Sequence, residues 1–550
     1  MSDVADPIQA VLNLSALGVY FHGVFVSITL GLPLVMMAFL YLYRKTGDET
    51  YMKATKIATM VLAINFALGA ITGTLVEFGL LTVWPGTLIV VASTALAPLA
   101  LELIAFTMEV ALLILFIVTL GRVSAGRSMG ILGAYWAFAL FSGVLITAVN
   151  SWQQAPWGVG PIAKALYPFM PEYGSLAVDA QKLVALKILA IASGESLQAI
   201  LQGAGVAETL GVVVSDPFVI LKSSYAWVSI VHNLSAAVIV GASLALFAWA
   251  YRYYVTGNPY YLKLLAAIIV PLLVLALVQP TISGHSMAVE VVKYNPTKYA
   301  MIEGAEKTKY SPLKALLAYG DPNHPIYGFD HFAEQCEAYK LTVREVALSV
   351  GVDEKLLREL GSKLGLQLDG KLDAVLNTQV KDLCLADLEK AKERMAKVHY
   401  SYYLKIGSAV TGALATVVLA GMLVRIPVIS PVSASVESIV YRLFKFMNRR
   451  SLVLFLAALI AFGFAATAVF GWYVREVGRK PWTVYGLVYP EEVVSIVEYA
   501  TSPAFIAFAA FIILVIHLSG IAVLVFVATR ADEISESVKK IIETIMSGAK

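Results

Sequence analysis

Residues 471–482 read GWYVREVGRKPW and set one carboxylate, Glu476, between Arg475 and Arg479, with Lys480 next and Trp472, Gly478, Pro481 and Trp482 as a stiff frame. The stretch closes an apolar run that begins near Leu452 and is long enough to cross a bilayer. Two readings follow from composition. Lys, Arg and Trp at the mouth of a spanning helix make an interfacial anchor. A carboxylate between two arginines, hemmed by two tryptophans and a rigid Gly/Pro corner, is less common there and makes a functional site the other reading.

Other ionisable residues lie inside apolar runs. His22 sits in VYFHGVFVSITLGL and His232 in SYAWVSIVHNLSAAVIVGA. Each is about ten residues from the outer boundary of a spanning run, too deep to snorkel, and so faces a partner, a cavity or a metal. Haem iron is the sharper reading, as one bis-histidine site or as two separate haems. His517, in LVIHLSGIAV, is expected to be a packed core histidine. Glu102 and Glu109, in LELIAFTME, share one helical face ~10 Å apart along the axis. Two carboxyls at hydrocarbon depth cannot both stay ionised without partners, so they read as a proton path or as groups beside a redox centre.

The chain that positions these groups has 550 residues, 59% hydrophobic and 14% charged, against roughly 25% charge in soluble domains. It is an integral membrane protein. A net charge of +3 without a basic tract gives it nothing that suits nucleic acid. The opening MSDVADPIQA lacks a basic n-region, so the first apolar run is expected to remain as a span. Nine spans are expected, at about 12–43, 55–79, 88–120, 129–150, 222–250, 261–283, 402–424, 452–474 and 503–528, each near the ~20 residues that a helix needs. Strand alternation is absent, which leaves an all-α polytopic bundle, since lipid cannot satisfy a free backbone.

Arg44, Lys45, Arg122, Arg127, Arg252, Arg442, Lys445, Arg449 and Arg450 fall in loops after odd-numbered spans, and Arg530, Lys539 and Lys540 follow the ninth. The positive-inside rule then puts the N-terminus outside and the C-terminus in the cytoplasm. Segments at about 151–221 and 284–401 face outward with residues 471–482. The second has the charge density of a soluble domain and the amphipathic stretches VDEKLLRELGSKL and LADLEKAKERMAKV. His285, His324 and His331 there lack ligand-like spacing and are expected to be solvated. Cys336 and Cys384 lie there too, where oxidising surroundings permit a disulfide; two separate thiols are the alternative. The expected division is six spans with an outward loop over 1–283, an extracytoplasmic region over 284–401, three spans over 402–528 and an amphipathic cytoplasmic tail over 529–550.

In this order the segments resemble subunit I of the cytochrome bd quinol oxidases over nearly the full chain. GWYVREVGRKPW is similar to that family's GWxxxExGRQPW pattern, with Lys480 for its glutamine. FHGVFVSITLGL resembles the first-helix segment whose histidine binds an active-site haem, and NFALGAITGTLVEF the second helix. AFTME matches the mid-helix glutamate at Glu109, and VHNLSAAVIVG the low-spin haem histidine at His232. KYNPTKYAMIEG resembles the start of the quinol-binding loop, whose lysine and glutamate fall on Lys298 and Glu303.

The resemblance implies a quinol:oxygen oxidoreductase in a prokaryotic plasma membrane. Quinol is oxidised on the outer face near Lys298 and Glu303, and O2 is reduced to water with protons drawn from inside through Glu109 and Glu102. His22 and Glu476 become axial ligands of a haem pair, one haem b with a haem d or a further haem b, and His232 holds a low-spin haem b. Arg479 compensates propionates or Glu476, while Trp472 and Lys405 belong to the cofactor pocket. The implied partners are a second membrane subunit, either subunit II or a paralogue of subunit I, and small single-span subunits.

Three departures from the family's pattern bear on this. Gly407 stands where the family has its methionine ligand and Lys405 where it has an arginine, so Lys405 replaces the ligand only when deprotonated. His399 lies ~12 Å along the helix from Gly407, too far to substitute simply. Glu102 is one residue off the family's register, and residues 157–215 look like an insertion. A haem-containing paralogue serving electron transfer or another acceptor is the alternative reading. A haem-free transporter is a third, disfavoured by the lack of a visible inverted repeat or paired broken helices.

Overall fold

The computed structural model describes residues 7–175, 180–195, 197–202, 216–368, 370–424, 438, 442 and 446–548. Lys445 and the side chains of Lys539 and Lys540 lie outside the described residues. Among the described residues, nine helices are long and apolar enough to cross a membrane. They are α1 (Pro7–Thr46), α2 (Glu49–Val83), α3 (Pro85–Thr119), α4 (Ala125–Gln154), α5 (Ser224–Thr256), α6 (Tyr260–Val278), α7 (Met395–Leu423), α8 (Arg449–Val477) and α9 (Pro503–Gly548). The only β-pairing among the described residues is in isolated bridges. The all-helical bundle expected from the sequence is therefore the fold.

The helices overrun their apolar cores because a helical backbone satisfies itself wherever it goes. The sixth is the clearest case. Its apolar run ends near 283, but after Val278 a π-turn, Gln279–Ser283, leads into a further helix, Gly284–Tyr294. Pro280 sits in that turn and cannot donate the usual backbone hydrogen bond, which suits the wider π register.

Between helices in lipid there is little hydrophobic driving force, because the surrounding tails are as apolar as leucine; close packing does the work instead. A β-carbon on Gly241 would lie 1.9 Å from the Ser27 carbonyl oxygen, so only glycine lets α5 touch α1 there. One core, including Phe39, Leu264, Ile268 and Leu456, fills the end of the bundle away from the long inter-helix segments. A second, including Tyr173, Tyr225, Met301 and Trp482, joins the other end to a cap. On α3 and α9, Leu96, Leu103, Phe508 and Phe511 are exposed, as lipid-facing residues should be.

The cap is helical, from Pro296–Glu303 through Val380–Lys392. A Cys336–Cys384 disulfide joins helix Phe329–Ala338 to helix Val380–Lys392, which decides between the two cysteine readings. VDEKLLRELGSKL forms helix Glu354–Lys363, whereas LADLEKAKERMAKV is broken after Lys392 and its end starts α7. Helix Ala180–Ser193 packs on the same body: its Leu189 would lie 3.4 Å from a β-carbon on Gly361.

Candidate cofactor and proton sites

At its cap end α8 stops at Val477, and Gly478–Pro481 turns the chain across the mouth of the bundle, with a cis Lys480–Pro481 peptide. Glu476 accepts from Asn150 Nδ2 at 3.1 Å and Gln154 Nε2 at 3.3 Å through one oxygen, and pairs with Arg479 through the other. Arg479 also donates to Gln153 Oε1 at 3.0 Å. Arg475 points the other way, into α4 and α5. It donates to Ser229 Oγ at 2.6 Å, Ser151 Oγ at 3.1 Å and Asn150 Oδ1, and lies 5.5 Å over the Trp472 ring. The buried Lys298 amine reaches Gln154 Oε1, and Asn295 Nδ2 donates to the Gln154 carbonyl at 2.6 Å.

Burial, then Arg475 and Arg479, hold the Lys298 amine well below the usual lysine range. Burial, then Arg479, pushes Lys480 down to about 7. The anchor reading does not fit Trp482, which is fully buried in protein. Its Nε1 donates to Tyr167 Oη at 3.1 Å, and Tyr167 in turn donates to Asp387 Oδ2 at 2.6 Å. The corner is thereby pinned to the cap. Asn150, Gln153, Gln154 and Ser229 belong to none of the sequence motifs, and all four are partners in this cage.

His22 lies elsewhere. Its Nδ1 is 3.0 Å from Thr72 Oγ1 of α2, and a β-carbon on Gly73 would come within 3.0 Å of its Cε1, so a glycine is needed for α2 to close over the ring. His517 of α9 packs against Phe21 and Phe25, beside His22. The hydrogen-bond partners of His22 and of Glu476 share no residue. His232 is buried, with Nδ1 3.2 Å from Gln279 Nε2 and 3.4 Å from Ser283 Oγ, so the π-turn is what orients this ring. Lys405 runs alongside Gly471 of α8 and has no hydrogen-bond acceptor among the described residues; its charge, with that of Arg475, acts on His232. Gly407 is exposed and lines a groove between α7 and α8, and a β-carbon there would meet nothing within 4 Å.

Glu303 pairs with Lys314 at 2.5 Å, and Lys314 Nζ donates to Tyr403 Oη at 2.5 Å, where α7 meets the cap. Lys298 and Glu303 thus sit on one helix but in different surroundings. On α3, Ser142 of α4 donates to Glu102 at 2.9 Å, while Glu109 is almost fully buried. His324 and His331 are not free in solvent: they stack on Tyr319 and Tyr327, with ring centres 3.8 and 4.0 Å apart.

These donors suit haem iron. Thr72 commits its hydroxyl proton to the Gly69 carbonyl at 3.2 Å, so it accepts from His22 Nδ1 and leaves Nε2 with the lone pair that a metal needs. Glu476 keeps a side chain that is 32% accessible, with Asn150, Gln154 and Arg479 around its carboxylate. A helical membrane bundle with ring-nitrogen and carboxylate donors of this kind belongs to the class of membrane redox subunits.

Comparison with known proteins narrows the class. Residues 13–533 match the family described as cytochrome bd terminal oxidase subunit I. Cytochrome bd-II ubiquinol oxidase subunit 1 of Escherichia coli (strain K12) is 32% identical over 159 residues, which cover 29% of this chain and 30% of that protein. Cytochrome bd ubiquinol oxidase subunit 1 of Bacillus subtilis (strain 168) is 23% identical over 485 residues, 86% of this chain and 83% of that one. The bd oxidase from Geobacillus thermodenitrificans shares the fold, with a TM-score of 0.65 at 16% identity over 96% of this chain and 100% of that chain. The chain belongs to the cytochrome bd terminal oxidase subunit I family, a family of quinol oxidase subunits, and is a multi-pass prokaryotic membrane protein.

Proposed function

We propose that this chain is a haem-carrying quinol:oxygen oxidoreductase subunit, working beside a second membrane subunit. The observation that carries the reading is Glu476, partly accessible and caged by Arg479, Asn150 and Gln154. His22, His232 and Glu476 would hold the haems, with Trp472 and Lys405 in the same surroundings. Bound there, the haems would supply one-electron transfer and the reduction of oxygen to water. Arg479 holds the Glu476 carboxylate in one orientation and balances its charge. Quinol is oxidised under the cap at the Glu303–Lys314–Tyr403 group, with Lys298 bracing the same helix against Gln154, and its protons leave on the cap side. Glu109 and Glu102 carry protons from the opposite face, so the two proton reactions fall on opposite sides of the membrane. The N-terminus and the cap are then outside and the C-terminus is cytoplasmic.

A pyridine haemochrome assay with quinol-driven oxygen uptake tests the reading; haem-free purified complex would end it. Glu109→Ala is expected to keep the haem spectrum and slow oxygen uptake, and unchanged turnover would remove the relay role. A second reading, a haem-bearing paralogue that passes electrons to another acceptor, is favoured by Gly407, which offers no ligand. Haem without quinol-dependent oxygen uptake is its signature.

A further inference from the structure

Behind the Glu476 cage lies a cluster of easily oxidised side chains: Trp482 from the turn after α8, Tyr167 from the segment that looks like an insertion, and Tyr489. Trp482 is fully buried, and its ring meets Tyr167 edge-on with centres 5.1 Å apart. Its Nε1 donates to Tyr167 Oη at 3.1 Å. Tyr167 Oη and Tyr489 Oη are 2.8 Å apart and both donate to Asp387 Oδ2, Tyr167 at 2.6 Å. Asp387 is 3% exposed, with the Lys390 amine 3.8 Å from its other oxygen. Packing calls for the rings but not for the polar groups. Phenylalanines with an apolar residue at 387 would fill the same space without burying a charge, which is at best weakly stabilising.

A phenol gives up an electron readily only when its proton leaves at the same time, and the acceptor must lie within hydrogen-bond reach. Asp387 Oδ2 meets that condition for Tyr167. Burial, then Tyr489 and Asp387, hold the Tyr167 phenol well above its usual range, so it keeps its proton until an electron is drawn. Of the two phenols Tyr167 is the better donor. Lys187 Nζ and Lys390 Nζ lie 4.9 and 5.6 Å from the centre of the Tyr489 ring, and positive charge there opposes removal of an electron. The Trp482 N–H on Tyr167 Oη stabilises the oxygen-centred radical that would remain. The link to the cage is short: Trp482 N donates to the Arg479 carbonyl at 3.3 Å, and Arg479 is paired with Glu476.

We infer that Trp482, Tyr167 and Asp387 form a one-electron reserve for the oxygen site, drawn on when oxygen is partly reduced and quinol has not delivered the next electron. Trp482 gives one electron to the partly reduced oxygen, Tyr167 gives one to the oxidised Trp482, and the Tyr167 proton passes to Asp387 Oδ2. A phenol O–H bond breaks, a carboxyl O–H bond forms, and one electron has reached oxygen. Quinol later returns the electron to Tyr167, and Asp387 returns the proton. The inference rests on the oxidase reading, with Glu476 at the oxygen site.

The test mixes the purified, oxidised full complex with hydrogen peroxide and freezes it rapidly. Electron paramagnetic resonance is expected to show a tyrosyl radical whose hyperfine pattern narrows when the tyrosines are ring-deuterated. Tyr167→Phe should lower that signal at least tenfold, Asp387→Asn severalfold, and Tyr489→Phe should keep it. Quinol-driven oxygen uptake should be unchanged in Tyr167→Phe, while its haem absorbance bleaches severalfold faster under peroxide. No tyrosyl radical in the wild type, or an undiminished one in Tyr167→Phe, would overturn the reserve; if that variant does not assemble, an undiminished signal in Asp387→Asn does so. A complex without haem would refute the oxidase reading instead. Flash-oxidised ruthenium tris(bipyridine) then replaces peroxide, and peptide mapping decides: oxidation settling at Tyr167 supports the site, and oxidation settling only elsewhere overturns it.

Discussion

The cage around Glu476 and the α3–α4 face are both polar groups in a membrane bundle, built on opposite principles. In the cage Glu476, Arg475 and Arg479 each have more than one partner, drawn from α4, α5 and the turn after α8. On the α3–α4 face Glu102 has one protein partner, and the hydroxyls of Tyr135 and Ser128 have none. Dense pairing fixes charges in place, because moving any one of them strands the others in low dielectric. Sparse pairing leaves hydrogen-bonding capacity for water and mobile protons. The first arrangement suits a ligand that must not move, the second a path along which something must.

That contrast is breakable. The largest effect is expected for Glu476→Ala, which leaves Arg479 buried without its carboxylate; breaking such a pair costs about 3–5 kcal/mol. Thermal unfolding in detergent should show a clear drop in stability, and the spectrum should lose haem. Unchanged stability would mean that the cage is not a cooperative unit.

Lys480 gives the next effect, and its sign depends on pH. Its folded-state value of about 7 lies below the ~10.4 of a free lysine, so the unfolded chain binds the proton more tightly. Stability therefore rises with pH between about 7 and about 10, and burial of this amine is a full cost only at and below pH 7. Lys480→Gln is expected to be more stable than the parent by about 2 kcal/mol at pH 7, an advantage that fades toward pH 10. Denaturation curves at the two pH values check it; a constant difference would show that Lys480 does not titrate in this window.

Ser142→Ala should have the smallest effect on stability, about 1 kcal/mol for one hydrogen bond, yet slow oxygen uptake. If cage variants changed stability and face variants changed turnover, the distinction would stand. If Ser142→Ala destabilised as much as Glu476→Ala, it would collapse.

Much of this was legible in the chain. The nine spans follow from runs of apolar residues, because a helix is the only backbone that satisfies itself in lipid without neighbours. His22, His232 and Glu109 stood out because ionisable residues at such depth are rare and expensive, and Glu476 because it lies between two arginines in GWYVREVGRKPW. What stayed hidden were the partners. Gln154, Ser229 and Tyr135 are ordinary residues in sequence, and nothing local says that Gln154 will sit between Glu476 and Lys298, more than 140 positions from either. The place of Gly407 in a groove between α7 and α8 was equally hidden, since it depends on how the two helices pack. Side-chain type and depth are properties of one helix and can be read along it. Pairing, helix rotation and the closing of a cap over the bundle are relations between helices, decided only when the chain packs.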